Sequence, residues 1–274
     1  MKKLYQYKIG QLLGSLIVLC CLSGMVLPQE KTPTADEKRD AEKAWEFLIK
    51  AKGGREKLHS ITNMLYSRSD DGNRTQLYVF PDSKWDYGDF EETGRRLEIF
   101  DAKTATSYRL DLFGITSQYK TDPQYGNDVF VFDQVDLLLE TKWFKPELLR
   151  VTQEKDGRRQ LNVIETLVAK RRVDFVFEPK ELLVLETRWH DDDGSVSYKE
   201  RFFDYMEIDG IQMPQKISDG LSYISRFDKF KGLKHPVETK FLFNVNYLPD
   251  LFSNPQPAYG PDAWRHRSQH MPGD

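Results

Sequence analysis

Asp-Gly occurs five times in this chain, each time beside runs of alternating apolar and polar residues: Asp71-Gly72, Asp156-Gly157, Asp193-Gly194, Asp209-Gly210 and Asp219-Gly220. Both residues tolerate positive φ, so the pair is a strong signal for a tight hairpin between two strands. Hairpins at this spacing favour local antiparallel pairing over βαβ crossovers. The period-two pattern predicts strands over Met64-Arg68, Thr75-Phe80, Arg95-Phe100, Thr106-Leu110, Asp128-Phe132, Gln160-Thr166, Arg172-Phe177, Leu182-His190, Val196-Tyr205, Ile211-Ile217, Leu221-Phe230 and Val237-Phe243. The expected class is mainly β (α+β), as a meandering sheet, a sandwich or a barrel.

Two stretches carry a helical period instead. In Ala41 to Lys52, Trp45, Leu48 and Ile49 fall at i, i+3 and i+4 and make one apolar stripe, which Gly53-Gly54 can terminate. Arg55 to Ser60 adds a further turn. Phe132 to Arg150 (FDQVDLLLETKWFKPELLR) reads as an apolar helical insert, with Pro146 starting a new turn. Before these, Gln29 to Asp40 is polar and reads as a flexible linker. Residues 41–253 would then be one domain. Residues 254–274 contain Pro255, Pro257, Pro261 and Pro272 and read as an extended or disordered tail.

Residues 1–28 have the form of an export signal. Lys2, Lys3 and Lys8 precede a 16-residue apolar or small run, Leu12 to Leu27, and polarity returns after Pro28. The run is shorter than the ~20 residues that span a bilayer. An uncleaved anchor is the alternative, and so is lipidation, although Leu19 and Cys20 are poor neighbours for a modified cysteine. Both cysteines, Cys20 and Cys21, lie in this run, so a cleaved chain would have none and would form no disulfide. The formal charge is -3, and it becomes -6 without the leader's three lysines. That balance gives no reason to expect nucleic acid or a polybasic attachment to lipid.

Motifs for chemistry are missing. There are five histidines, His59, His190, His235, His266 and His270, and none has the spacing of a zinc protease site. They read as incidental surface residues. His190-Asp191-Asp192-Asp193-Gly194 lacks the alternating ligands and closing glutamate of a calcium loop and reads as a hairpin tip. No Gly-x-Ser-x-Gly frame, phosphate loop or dinucleotide fingerprint occurs. The chain is therefore expected to be no enzyme, with no metal and no cofactor. The strands are rich in aromatics, including Phe175, Phe177, Trp189, Phe202 and Phe203. A packed core explains these residues by itself. A curved sheet with few covering helices would also have apolar inner surface to spare for a ligand.

The order of elements is familiar. AWEFLIKAKGGREKLHSI is followed by a strand ending in LYVFPD, an insert, long hairpins, FFDYMEIDGIQMPQKI and NVNYLPDLFSNPQP. With Asp204-Tyr205, Asp209-Gly210, Pro214, Asn244 or Asn246, Leu251-Phe252 and Pro255 as punctuation, residues 41 to 258 resemble the LolA-like superfamily of outer-membrane lipoprotein-sorting proteins. The resemblance implies a strongly curved antiparallel sheet forming an incomplete barrel, with an N-terminal helix and a helical lid. It implies an exported, periplasmic carrier of lipid, lipoprotein acyl chains or another apolar ligand, whose partners are a lipid or acylated protein. Its alternative is an envelope sensor that binds a membrane protein partner without lipid. The expected ligand-binding residues are Leu77, Val79, Phe130, Phe132, Val173, Phe175 and Phe177 from strands, and Leu138, Leu139, Trp143 and Phe144 from the lid. A one-residue slip in register would exchange the faces of any strand among them.

Overall fold

The structure is a computed structural model, and it describes residues 32–69, 74–81, 83–90, 94–101, 103–111, 114–120, 137–164, 171–191, 193–221, 235–256 and 261–265. The expected leader, the Asp71-Gly72 turn, Phe130 and Phe132 lie outside these residues, as do the strand expected at Asp128-Phe132 and, beyond Leu221, the one expected at Leu221-Phe230. Ala35–Asp274 form one unit.

Helix α1 is Ala35–Lys52 and α2 is Arg55–Ser60. Helix α1 starts six residues before the expected boundary, so Ala35 to Asp40 are helix and not linker. The reason is local. Four of these six residues, Ala35, Glu37, Lys38 and Arg39, are good helix formers, and Asp36 and Glu37 sit in the first turn, where acidic groups complement the helix dipole. Gly53 and Gly54, at φ 137° and 92°, end the helix, with the Gly54 N–H bonding the Ile49 carbonyl at 2.9 Å.

Thirteen strands follow among the described residues: β1 Asn63–Arg68, β2 Thr75–Val79, β3 Ser83–Phe90, β4 Gly94–Asp101, β5 Thr106–Asp111, β6 Gly114–Lys120, β7 Glu147–Gln153, β8 Arg159–Ile164, β9 Arg172–Phe177, β10 Val184–His190, β11 Val196–Ile208, β12 Ile211–Leu221 and β13 Val237–Phe243. They form one antiparallel sheet in the order β6-β5-β4-β3-β2-β1-β13-β12-β11-β10-β9-β8-β7. Two meanders thus run outward from β13, which lies between β1 and β12. Strands β6 and β7 end the sheet without pairing to each other, so the barrel is incomplete.

Three expectations about the elements are corrected. Glu147 to Arg150 are not helix but the start of β7, paired to β8 through a bulge between Leu148 and Arg150. Two apolar neighbours, Leu148 and Leu149, fit a helical stripe and a bulged strand equally, and the β8 ladder decides. The described part of the insert, 137–146, is one helical turn at Leu137 and Leu138, followed by an irregular strap closed by a Thr141–Phe144 bridge. Asp219-Gly220 is not a turn either. It runs inside β12 opposite Glu200 and Lys199, because the long β11 offers a partner to every residue from Lys216 to Leu221. The hairpin turns fall at Asp156-Gly157, Asp193-Gly194 and Asp209-Gly210, where the glycines have φ of 92°, 80° and 78°. Strands β3 and β6 were not anticipated.

Side chains alternate between two apolar layers. The inner layer joins α1 to Met64, Tyr66, Tyr78, Leu161, Phe175, Trp189, Met213 and Phe241. The outer layer joins Leu65, Leu77, Trp85, Tyr87, Leu97, Ile99 and Leu110 to Leu251 and Trp264. The tail, expected to be extended or disordered, is at residues 261–265 packed on the outer face of the first meander. Trp264 is 1% exposed, because burying an indole outweighs the proline-rich composition that suggested disorder.

Candidate functional site

The inner face is where the sheet, α1 and the strap meet. Helix α1 buries Ala41, Ala44, Trp45, Leu48, Ile49 and Lys52 on one side. The Trp45 ring lies 5.8 Å from that of Phe175, tilted by 60°. The strap adds Leu137, Leu138, Leu139 and Phe144, all buried.

One carboxylate fastens the strap. Glu140, in the strap, accepts from Trp45 Nε1 at 2.8 Å and from Arg55 Nε at 2.7 Å. His59 Nε2 lies 2.9 Å from its Oε1. Arg55 also grips Glu46 with both terminal nitrogens at 2.9 Å. Burial acts to raise the Glu140 carboxyl, but the hydrogen bonds from Arg55, Trp45 and His59 prevail and hold it below the usual carboxylate range. The result is a clasp between the strap and both helices.

Beside the clasp is a small cavity of about 10 Å³, lined by Leu48, Lys52, Leu139, Leu182, Leu183, Val184 and Tyr205. Lys52 is its one cation, 5% exposed, with Nζ 5.5 Å from the centre of the Tyr205 ring. Burial alone pushes its ammonium down to about 7. The Tyr205 hydroxyl donates to the Val184 carbonyl at 2.6 Å. A larger cleft of about 400 Å³ lies on the outer face, between Leu65, Ser67, Thr75, Tyr87, Glu238, Lys240 and the C-terminal Pro261, Asp262 and Trp264. Its charges are of both signs.

Of the residues expected to line a ligand site, Val173, Phe175, Phe177, Leu138, Leu139 and Phe144 come together in the inner layer. Trp143 stands 37% exposed at the rim, 6.2 Å from Phe80. Leu77 and Val79 go to the outer layer instead. Register decides this: Leu77 pairs with Leu65 and Trp85, while Tyr78 and Phe80 take the inner positions. The reading of the histidines as incidental surface also needs correction. His190 is 8% exposed and meets Asp174 Oδ2 at 2.6 Å and the Gly194 carbonyl at 3.0 Å. The Asp191-to-Gly194 segment is a hairpin tip, with Asp193 accepting the Ser195 N–H at 2.8 Å.

Sequence reasoning passed over Glu140 and Lys52, and it met Tyr205 only as a strand aromatic and as part of the Asp204-Tyr205 punctuation. A signal existed for Lys52. It stands four residues after Leu48 and seven after Trp45, so a charge interrupts the apolar stripe of α1.

Among solved structures, a LolA superfamily protein from Nitrosomonas europaea matches with 17% identity and a TM-score of 0.38, over 77% of this chain and 97% of its own. A DUF1329 family protein from Desulfovibrio piger matches with 11% identity and a TM-score of 0.38, over 78% and 97%. A domain described as an outer membrane lipoprotein-sorting protein, from Vibrio parahaemolyticus, matches with 10% identity and a TM-score of 0.36, over 77% and 97%. No protein-family model and no curated protein matches the sequence. No helix among the described residues is long and apolar enough to cross a membrane.

Proposed function

We propose that this chain is a carrier protein of the cell envelope. It would take an apolar ligand, such as a lipid or the acyl chain of a lipoprotein, between the inner face of its sheet and the parts that cover it. One observation carries this reading. The apolar inner face is covered by α1 and by a strap that one polar clasp at Glu140 fastens to the helices. Such a cover can be released without dismantling the sheet ladder. An acyl chain entering beneath it gains about 0.8 kcal/mol per buried methylene, so affinity needs apolar walls and no reactive group. Export by the leader would place the chain where such ligands move.

A second reading has its own support. Strand β6 ends the described sheet, and Ile115 and Tyr119 on it are 50% and 51% exposed. An end strand with apolar side chains suits a protein partner that adds to it.

Native mass spectrometry of the full chain, purified without detergent from a bacterial envelope, tests the first reading. The expected result is a mass excess that organic extraction removes and that contains lipid. A bare polypeptide mass, unchanged after incubation with phospholipid vesicles, would overturn the carrier reading and favour the partner.

A further inference from the structure

We infer that Lys52 is the anchor for the acidic head of the ligand, and that the ligand class is an alkyl chain ending in a carboxylate. This rests on the carrier reading and adds to it a polarity and a place for the head.

Three independent observations meet at the small cavity by Lys52. The first is an amine without an acid. Lys52 is buried among Leu48, Leu139, Leu182, Val184 and Tyr205, and no hydrogen bond or ion pair joins it to another described residue. Tyr205 offers only its ring face, since its hydroxyl is committed to the Val184 carbonyl. Buried ammonium groups are normally paired, because an unpaired one gives up most of its hydration without return; the Lys52 amine keeps only a small contact with solvent. The C-terminal turn of α1 eases this cost but supplies no counter-ion.

The second observation is the cavity itself. At about 10 Å³ it is at the limit for a single water molecule. A carboxylate enters only if a wall moves.

The third is that two walls carry strain. Leu139 has φ 64° and Leu182 has φ 56°, a region that residues with a Cβ rarely occupy. They belong to separate segments, the strap and the β9–β10 connection, yet both line this one cavity. Strained residues persist where the surroundings over-determine them, and they gather at clamps and switches. Leu139 directly precedes the Glu140 clasp, so releasing the strap moves one strained wall away from the amine. A lone cation in an apolar wall selects a small, singly charged head over a bulky or multiply charged one.

Charge regulation supports the assignment. Burial pushes Lys52 down to about 7. Among the described lining residues Tyr205 is the other titratable side chain, and burial, then Glu200, holds its hydroxyl protonated far into the alkaline range. Above pH 7 the amine is therefore largely neutral. An arriving carboxylate restores the charge, and binding takes up a proton.

Isothermal titration of the full chain with dodecanoate and with dodecan-1-ol at pH 8, in phosphate and in Tris, tests this. The wild type should bind dodecanoate roughly tenfold or more tighter than the alcohol, the scale of a charge-assisted hydrogen bond. The buffer dependence of the heat should report uptake approaching one proton. Lys52→Met, checked for folding by circular dichroism, should bind both probes alike and take up none. If Lys52→Met keeps the preference and the proton uptake, the anchor is elsewhere and the inference fails while the carrier reading stands. If the wild type binds neither probe, both fail.

Discussion

Trp45 and Glu140 stand 95 residues apart in sequence and are joined by a 2.8 Å hydrogen bond from the indole nitrogen to a carboxylate that is 3% exposed. This bond ties the middle of α1 to a strap that is otherwise irregular. Around it, Arg55 and His59 complete a polar knot within an apolar layer. A buried carboxylate with every partner in place is stable, and it becomes a liability when one partner is lost.

Removing the carboxylate should therefore cost more than the strap's own contacts suggest. Glu140→Ala leaves the Trp45 and Arg55 donors without their acceptor, an expected loss of about 2–3 kcal/mol. Glu140→Gln keeps one acceptor oxygen and should lose about half as much. Urea unfolding of both variants measures this. Losses within ~0.5 kcal/mol, as for an ordinary surface change, would show that the knot does not hold the strap.

Lys52→Met should stabilise the chain, and the sign of its pH dependence is fixed. The folded state holds Lys52 at about 7, below its ordinary value, so the unfolded chain binds the extra proton between there and about 10.4. Wild-type stability rises with pH across that window. The penalty is complete below pH 7 and fades above it. The gain from Lys52→Met, on the order of a few kcal/mol, should be largest at pH 6 and shrink by pH 9, read from denaturation midpoints.

Acid should unfold the sheet through a few carboxylates. Burial opposes ionisation of Asp174, Glu186 and Asp86. Their partners outweigh it and hold each below the usual carboxylate range: His190 and Arg172 for Asp174, Arg201 and Arg188 for Glu186, Lys84 and Arg74 for Asp86. Their contribution is present above about pH 4 and is lost as pH falls through the depressed folded values. Asp174→Asn should lower stability at pH 7 and flatten the acid limb of a pH–stability curve. An unchanged acid limb would remove Asp174 from this role.

Gly53 and Gly54 are adjacent and should respond differently to alanine. A Cβ on Gly53 would lie 2.4 Å from the Gly210 carbonyl oxygen, whereas on Gly54 it meets nothing within 4 Å. Both have positive φ, so Gly54→Ala carries only the conformational cost, about 1 kcal/mol. Gly53→Ala adds a backbone clash between α1 and the β11–β12 turn, and about 3 kcal/mol or more is expected. Thermal unfolding of the two variants gives the comparison, and equal midpoints would contradict the close approach.

The C-terminal segment should behave as core. Trp264→Ala removes a fully buried indole from the outer layer and should cost about 3–5 kcal/mol. A disordered tail would tolerate the same change without effect on the melting temperature.

The sequence alone determined the local grammar of this protein. Alternation over β1, β2, β9 and β13, Asp-Gly pairs at three turns, and the Trp45-Leu48-Ile49 stripe were all legible, because each depends on residues close in the chain. It did not determine the insert, where Leu148-Leu149 fit helix and strand alike until β8 supplied a ladder. Nor did it assign Leu77 and Val79 to a face, because an alternating strand reads the same from both sides and only pairing with Leu65 and Trp85 settles which side is in. Asp219-Gly220 had turn chemistry, and a long neighbouring strand overrode it. The candidate site was the least visible part. Glu140 meets Trp45 and Arg55, and Lys52 meets Leu139 and Leu182, across separations that no local pattern encodes. What a buried charge can do depends on which groups surround it, and only the folded chain chooses those neighbours.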